Sequence, residues 1–231
     1  MLLNKVFNIA VVVDWELIIW FTLLLIIPYV LALFMLLYFC ILLHELAHAI
    51  TAINNGLKVR RIRLSPLGGF TIINKNLEDI NPEIALKIFM AGPIMSLFLG
   101  GIFGITTIFL QPGMLLKTVQ VMFLVNIFLG LFNLLPILSL DGGYALRSFL
   151  QRKRSFFDAT MLTVKTSKYM MGGILIATFI FAIIYNSISL LQRAFIVVIN
   201  ILVIIYLYVT IKEEIKNIKS KKKQSKRSKK A

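Results

Sequence analysis

A long apolar stretch near the start of the chain restricts the fold more than any other feature of the sequence. It runs from about Trp15 to about Ala52, whereas one membrane-spanning helix needs roughly 20 apolar residues. Pro28 lies where a tight turn would divide the stretch. We therefore predict a short helix at 15–27 and a second helix at 30–53.

Further apolar stretches indicate a polytopic membrane protein. Of the 231 residues, 59% are hydrophobic and 15% are charged, a balance far outside that of a soluble globular domain. We predict an all-α polytopic membrane protein with about six transmembrane helices, in a membrane domain at 1–211 followed by a basic tail at 212–231. Before the first span, Phe7 to Val13 could form a short strand or an interfacial segment. The predicted spans are 15–27, 30–53, 84–110, 117–138, 169–188 and 193–211.

The placement of the positive residues predicts the orientation of the chain. The net charge is +15, and the segment 212–230 holds ten Lys or Arg and two Glu, a net of +8. Most of the other positive residues follow the second and fourth predicted spans. Because cytoplasmic loops carry the excess of Lys and Arg, we expect a multi-pass protein of the cell membrane with both termini cytoplasmic. The tail lacks interleaved aromatic residues, so we expect it to bind anionic lipid and not nucleic acid.

The second predicted helix contains the motif His-Glu-x-x-His, from His44 to His48. Residues four apart share one face of an α-helix, so His44 and His48 can bind one metal ion from the same side. Glu45 follows the first histidine and can reach a water on that metal. The chain has two histidines, both in this motif, and ionisable groups are costly in hydrocarbon, so a chance match explains it poorly. Cys40, the single cysteine, lies one turn earlier, where a ligand role and packing against another helix both fit.

The segment 57–73 alternates apolar and charged residues and then enters a turn. A β-hairpin at the membrane face and an ordinary basic loop both fit this pattern. In the hairpin, an exposed strand edge would hold an extended substrate through main-chain hydrogen bonds. The residues predicted to bind substrate in this way are Gly68, Gly69, Phe70, Thr71 and Ile72. The loop would instead dock on lipid head groups through its arginines, Arg60, Arg61 and Arg63.

The third and fourth predicted spans supply further candidates. Small residues recur at every fourth position of the third span, a pattern that lets another helix approach closely. They are Gly92, Ser96, Gly100 and Gly104. Asp141 follows the fourth span on the side where the second span ends, and two histidines with one carboxylate leave a fourth zinc position open to water. Asp141 could equally be a turn residue before two glycines, and Asn133 could bond a neighbouring helix.

Together these stretches resemble the site-2 protease family of intramembrane zinc metalloproteases. The resemblance is carried by His44-Glu45-Leu46-Ala47-His48 and by Phe132-Asn133-Leu134-Leu135-Pro136-Ile137-Leu138-Ser139-Leu140-Asp141-Gly142-Gly143. Softer matches lie at 64–70 and 91–93. The resemblance implies that one zinc ion is bound by His44, His48 and Asp141. It also implies that Glu45 is the catalytic base and that Asn133 positions substrate or stabilises the intermediate.

The length and the early motif look most like the compact bacterial branch of that family. That branch includes the sporulation protease that releases a sigma factor from its membrane-bound precursor. We therefore expect an intramembrane zinc endopeptidase that acts on a membrane-anchored protein, with a membrane inhibitor or regulatory protein as a further partner.

Two other classes of function compete with this one. A metal transporter would need polar residues along a path to both faces, and the external half of the spans supplies few. A non-proteolytic scaffold would tolerate loss of Glu45, which is present with all three candidate ligands.

Overall fold

The computed structural model describes residues 2–6, 9–184 and 189–228. The chain divides into two compact units, residues 1–134 and 135–231, which are described separately. Helices dominate both units, in agreement with the predicted fold class.

The first unit contains four long or medium helices. They are α1 at Trp15–Leu24, α2 at Pro28–Asn54, α3 at Pro82–Phe109 and α4 at Met114–Asn133. Proline occupies the first turn of both α2 and α3, where its missing N–H and fixed φ are tolerated. At the start of α3 the side chain of Asn81 also accepts a hydrogen bond from the Glu83 N–H at 2.8 Å, which defines where that helix begins.

A four-stranded sheet completes the first unit. Its strands are β1 at Leu2–Val6, β2 at Ile9–Val13, β3 at Val59–Ser65 and β4 at Gly68–Ile73, in the order β1-β2-β3-β4. The β3–β4 pair is antiparallel, so the predicted hairpin is confirmed and the basic loop is not. The predicted strand at 7–13 is found from Ile9 onward, while Phe7 lies outside the described residues.

The β2–β3 pair is parallel, which the sequence pattern did not indicate. Parallel neighbours need a crossover connection, and here α1 and α2 provide it. The N–H of Asp14 donates to the carbonyl oxygen of Leu64 at 2.9 Å, and the Asp14 carboxylate pairs with Arg63 at 2.8 Å. The chain therefore leaves the sheet through α1 and returns to it after α2.

Helix α2 packs against the sheet and holds it in place. The buried cluster of this unit consists of Ile9, Val11, Leu17, Tyr38, Ile41, Leu46, Ala49, Ile62 and Leu64. The Tyr38 hydroxyl donates to the carbonyl oxygen of Ser65 at 2.9 Å, which satisfies a polar group inside this apolar contact. Strand β4 is last in the sheet order, so its outer edge pairs with no strand in the part of the chain described.

Helices α3 and α4 approach each other through the predicted stripe of small residues. A Cβ at Gly100 would lie 2.7 Å from Cδ1 of Ile127, so only glycine permits this spacing. Cys40 on α2 also faces α4, because its Sγ lies 3.1 Å from Nδ2 of the fully buried Asn126. The contact supports a packing role for Cys40.

The second unit contains α5 at Asp141–Gln151, α6 at Phe156–Ile184 and α7 at Leu190–Ser228. Its buried cluster consists of Ile137, Leu138, Val164, Met171, Leu207 and Ile211. Helix α6 begins well before the predicted span at 169–188, because its first turns pack against α5 through buried residues such as Ala159 and Thr163. The last helix continues through the basic tail as far as Ser228.

Five of the described helices are long and apolar enough to cross a membrane. They are Pro28–Asn54, Pro82–Phe109, Met114–Asn133, Phe156–Ile184 and Gln192–Lys216. The first predicted span, 15–27, corresponds to α1, which has 10 residues and is therefore about 15 Å long at 1.5 Å per residue. That is half of the roughly 30 Å hydrocarbon core, so α1 is too short to cross alone.

Candidate metal centre

Helix α2 places its two histidines side by side in the interior of the first unit. The ring centroids of His44 and His48 lie 4.9 Å apart, and the residues are 3% and 5% exposed. The spacing of four residues in the motif produces this pair, since it sets the rings on one face of the helix one turn apart.

Helix α3 fixes the orientation of both rings. Nδ1 of His48 lies 2.6 Å from the carbonyl oxygen of Ile88, and Nδ1 of His44 lies 2.9 Å from the hydroxyl of Ser96. A carbonyl oxygen only accepts hydrogen bonds, so Nδ1 of His48 carries the proton and Nε2 carries the lone pair in the neutral ring. Metal-binding histidines commonly donate their other ring N–H in this way.

Gly92 provides the space in front of the two Nε2 atoms. It lies one turn after Ile88 and one turn before Ser96 on α3, and a Cβ built on it would meet Nε2 of both His44 and His48, the former at 2.5 Å. The two Nε2 atoms thus face the same point on α3, where the side chain is a single hydrogen. A bound ion needs this kind of convergence and clearance.

Asp141 is the carboxylate that the sequence assigns to the candidate site. It is the first residue of α5, in the second unit. Two imidazoles and one carboxylate form the donor set of many hydrolytic zinc sites, with one position left for water or substrate. By residue type, His44, His48 and Asp141 are therefore a group that could bind one metal ion.

Glu45 is the acid–base candidate, and strand β4 lies against it. The residue is buried, at 7% exposed, and its Oε2 accepts a hydrogen bond from the Thr71 hydroxyl at 2.8 Å. A Cβ at Gly69 would lie 2.5 Å from Cγ of Glu45. The predicted strand is thus placed next to the predicted base.

The other predicted site residues are placed as follows. Asn133 is the last residue of α4, and its Nδ2 donates to the carbonyl oxygen of Leu129 at 2.9 Å within the same helix. Its role toward substrate stays a prediction. In the hairpin, Gly68 has a φ of +124° in the turn, a value that favours glycine, and Phe70 is largely exposed.

Sequence reasoning missed the contribution of α3 to the site. Gly92 was identified as part of a small-residue stripe and of the matching stretch 91–93, and Ser96 as part of the stripe, but neither was assigned to the site. Ser96 contacts His44, and a Cβ at Gly92 would meet both histidine rings. The hydroxyl of Ser96 inside that stripe could have indicated the role of α3, because a polar residue within an apolar span usually has a hydrogen-bond partner. No such sign existed for Ile88, since it acts through its main-chain carbonyl.

The chain is similar in sequence and in fold to known proteins. Residues 32–119 and 111–177 match the family described as peptidase family M50. The chain is 35% identical over 140 residues to a zinc metalloprotease of Methanocaldococcus jannaschii, an alignment that covers 59% of this chain and 39% of that protein. It thus spans less than half the length of this curated relative. Among solved structures it is similar to a site-2 protease from Methanocaldococcus jannaschii, with 26% identity, a TM-score of 0.61, and coverage of 93% of this chain and 94% of that one.

Proposed function

The chain belongs to peptidase family M50, the site-2 protease family, and on this premise we propose that it is an intramembrane zinc endopeptidase. Its substrate is a membrane-anchored protein that is cut within or near its transmembrane segment. The observation that carries the proposal is that α2 sets Nε2 of His44 and Nε2 of His48 in front of the same glycine, Gly92, while Glu45 directly follows His44 in the sequence. With Asp141 as the third ligand, these residues would hold one zinc ion.

In this mechanism the two histidines and Asp141 hold the ion. When bound, zinc acts as a Lewis acid that polarises the scissile carbonyl and acidifies water. Glu45 accepts a proton from the attacking water and later donates it to the nitrogen of the leaving amine. Ile88 and Ser96 keep the imidazole rings in the orientation that points Nε2 toward the ion.

Replacement of Glu45 tests the catalytic part of the proposal. Glu45→Gln keeps the size of the side chain but cannot accept a proton, so cleavage of a co-expressed single-span substrate should fall to background while zinc content stays near one per chain. A membrane-bound sigma-factor precursor is a suitable first substrate. Cleavage by Glu45→Gln at the unmodified rate would contradict the proposal.

Replacement of Asp141 tests the metal part. Asp141→Ala leaves two histidines as ligands, so zinc affinity should fall sharply in a competition assay with a chelator. Asp158 on α6 offers a matched control, because its carboxylate bonds the hydroxyl of Ser155 at 2.6 Å and is not in the candidate metal group. Full zinc occupancy in Asp141→Ala, equal to that of Asp158→Ala, would remove Asp141 from the ligand set.

For the substrate, we propose that an extended segment pairs with the outer edge of β4. A peptide bond inside a helix is shielded by its own hydrogen bonds, so the segment must unwind before attack. The unpaired edge offers replacement bonds from the main chain, and β4 lies against Glu45 through Gly69. The site and the strand edge are thus close enough for one segment to reach both.

A proline substitution tests this binding mode. Ile73→Pro removes a backbone donor from β4 without changing a metal ligand. The N–H of the next residue, Asn74, bonds Lys58 on the β3 side, and N–H groups alternate along a strand, so that of Ile73 faces the outer edge. Cleavage should therefore fall while zinc binding and folding stay near normal. Joint replacement of Arg60, Arg61 and Arg63 by Gln is the comparison. If that triple variant loses more cleavage than Ile73→Pro, the segment acts through lipid head groups and strand pairing is refuted.

A further inference from the structure

The Thr71 side chain contacts Glu45, the residue proposed as the general base. Its Oγ1 lies 2.8 Å from Oε2 of Glu45 and 3.0 Å from the main-chain oxygen of the same residue. A hydroxyl has one proton to donate, and a carboxylate oxygen is a stronger acceptor than a main-chain carbonyl. The Thr71 hydroxyl therefore donates to the Glu45 carboxylate, which is also the shorter contact.

Strand geometry explains how β4 reaches Glu45 at two points. Residues two apart in a strand face the same side, so Gly69 and Thr71 both face α2. At Gly69 the absent side chain lets the strand approach Cγ of Glu45, since a Cβ there would lie only 2.5 Å from it. At Thr71 the hydroxyl meets the carboxylate. The close backbone of Gly69 and the hydrogen bond from the Thr71 hydroxyl together restrict the side-chain rotamers of Glu45.

A general base requires this kind of restriction. A glutamate side chain has several rotatable bonds, and proton transfer requires its carboxylate oxygen within hydrogen-bond reach of the proton that it accepts. A base held in one orientation loses less rotational freedom when the reaction begins.

We propose that Thr71 is the positioning residue of Glu45. The inference rests on the proposed function, in which Glu45 is the general base. It gives β4 two separate roles: the main chain at its outer edge binds substrate, while the Thr71 side chain aims the base. The same strand would then set the register between the substrate and the group that acts on it.

Three variants separate a positioning role from the alternatives. Thr71→Val replaces the hydroxyl with a methyl group of similar size, Thr71→Ser restores the hydroxyl, and Ser65→Ala is the control. Ser65 lies in the same hairpin and its hydroxyl bonds Gly68 at 3.2 Å, away from Glu45. Each variant is purified as the full chain, and its kcat, KM, zinc content and thermal unfolding midpoint are measured beside those of Glu45→Gln.

We expect Thr71→Val to lower kcat by about 10- to 100-fold, the usual cost of removing a supporting hydrogen bond, with KM and zinc content unchanged. Thr71→Ser should recover most of the loss, and Ser65→Ala should behave like the unmodified chain. An unchanged kcat in Thr71→Val would overturn the inference. An increase in KM alone would also overturn it, because that result indicates a substrate contact. So would a loss of kcat that parallels a lower unfolding midpoint and is not recovered in Thr71→Ser. Equal cleavage by Glu45→Gln and the unmodified chain would instead overturn the proposed function.

Discussion

The carbonyl oxygen of Ile88 lies 2.6 Å from Nδ1 of His48, so helix α3 determines which nitrogen of that ring carries the lone pair. The same face of α3 continues with Gly92 and Ser96, which meet Nε2 of both histidines and Nδ1 of His44. The two histidines of the candidate metal centre are therefore held by the packing of α2 against α3.

Substitution at Gly92 should remove zinc. In Gly92→Ala the new Cβ would overlap Nε2 of His44 and His48, and the rings can avoid it only by turning away from the ion. We expect zinc content below about a tenth of the normal value, because ring orientation controls metal affinity. Gly101→Ala is the matched control on the same helix, since a Cβ there meets nothing within 4 Å. Equal zinc content in the two variants would contradict the steric argument.

Loss of the Ser96 hydroxyl should weaken zinc binding without abolishing it. Ser96→Ala removes the partner of His44 Nδ1 and leaves the ligands in place, so zinc affinity should fall by about tenfold. A chelator competition titration measures this. The control is Thr106→Ala, which lies on the same helix and removes a hydroxyl bonded to the carbonyl oxygen of Ile102. If both variants bind zinc as tightly as the unmodified chain, the Ser96 contact does not support the site.

The pairing of the two motif histidines could be predicted from the sequence, because it depends only on residue types at a fixed spacing. His44 and His48 must share a helix face, and a carboxylate must come from elsewhere, so few arrangements of this chain satisfy the pattern. The β3–β4 hairpin was equally accessible, since its alternation and glycine turn are local. These features need no knowledge of distant contacts.

Contacts between distant segments could not be predicted in the same way. The parallel β2–β3 pairing joins residues on either side of α1 and α2, and no local pattern records it. The bond from Ile88 uses a carbonyl group that every residue possesses. The Thr71 contact depends on how close β4 lies to α2, which Gly69 sets through packing. Apolar composition also does not reveal that α1 ends at Leu24, so the length of the first predicted span could not be read from the sequence.

The second unit contains a buried ion pair that should be important for its stability. Arg147 on α5 is 1% exposed and bonds Glu214 of α7 at 2.9 Å, while the Tyr144 hydroxyl donates to the same carboxylate at 3.0 Å. Burial first, and then the charge of Glu214, raise the pKa of the Tyr144 phenol. The phenol therefore stays protonated and remains a donor at neutral pH.

Removal of Glu214 should destabilise the chain. Glu214→Ala leaves the Arg147 guanidinium buried without its carboxylate, which costs about 3–5 kcal/mol in comparable pairs, so the unfolding midpoint in detergent should fall. Glu213→Ala is the control, because Glu213 directly precedes Glu214 and its side chain is exposed. The double variant Arg147→Met with Glu214→Leu should recover much of the stability, since it removes both charges. A Glu214→Ala midpoint equal to that of Glu213→Ala would show that the pair contributes little.

The last prediction concerns the orientation of the chain in the membrane. Helix α3 is long enough to span the bilayer, so reporters fused at Lys75, before it, and at Gly113, after it, should report opposite sides. Because Lys and Arg concentrate in the segment before α3, around Arg154 and in the tail, we expect cytoplasmic reporters at Lys75, Arg154 and the C-terminus and an external reporter at Gly113. A reporter fused to the chain truncated after Ile26 tests whether α1 and the turn that follows it reach the external side. Because α1 is short, an external result would require a local bilayer thinner than the usual hydrocarbon core. A cytoplasmic result at Gly113 would contradict the orientation, since α3 would then not cross.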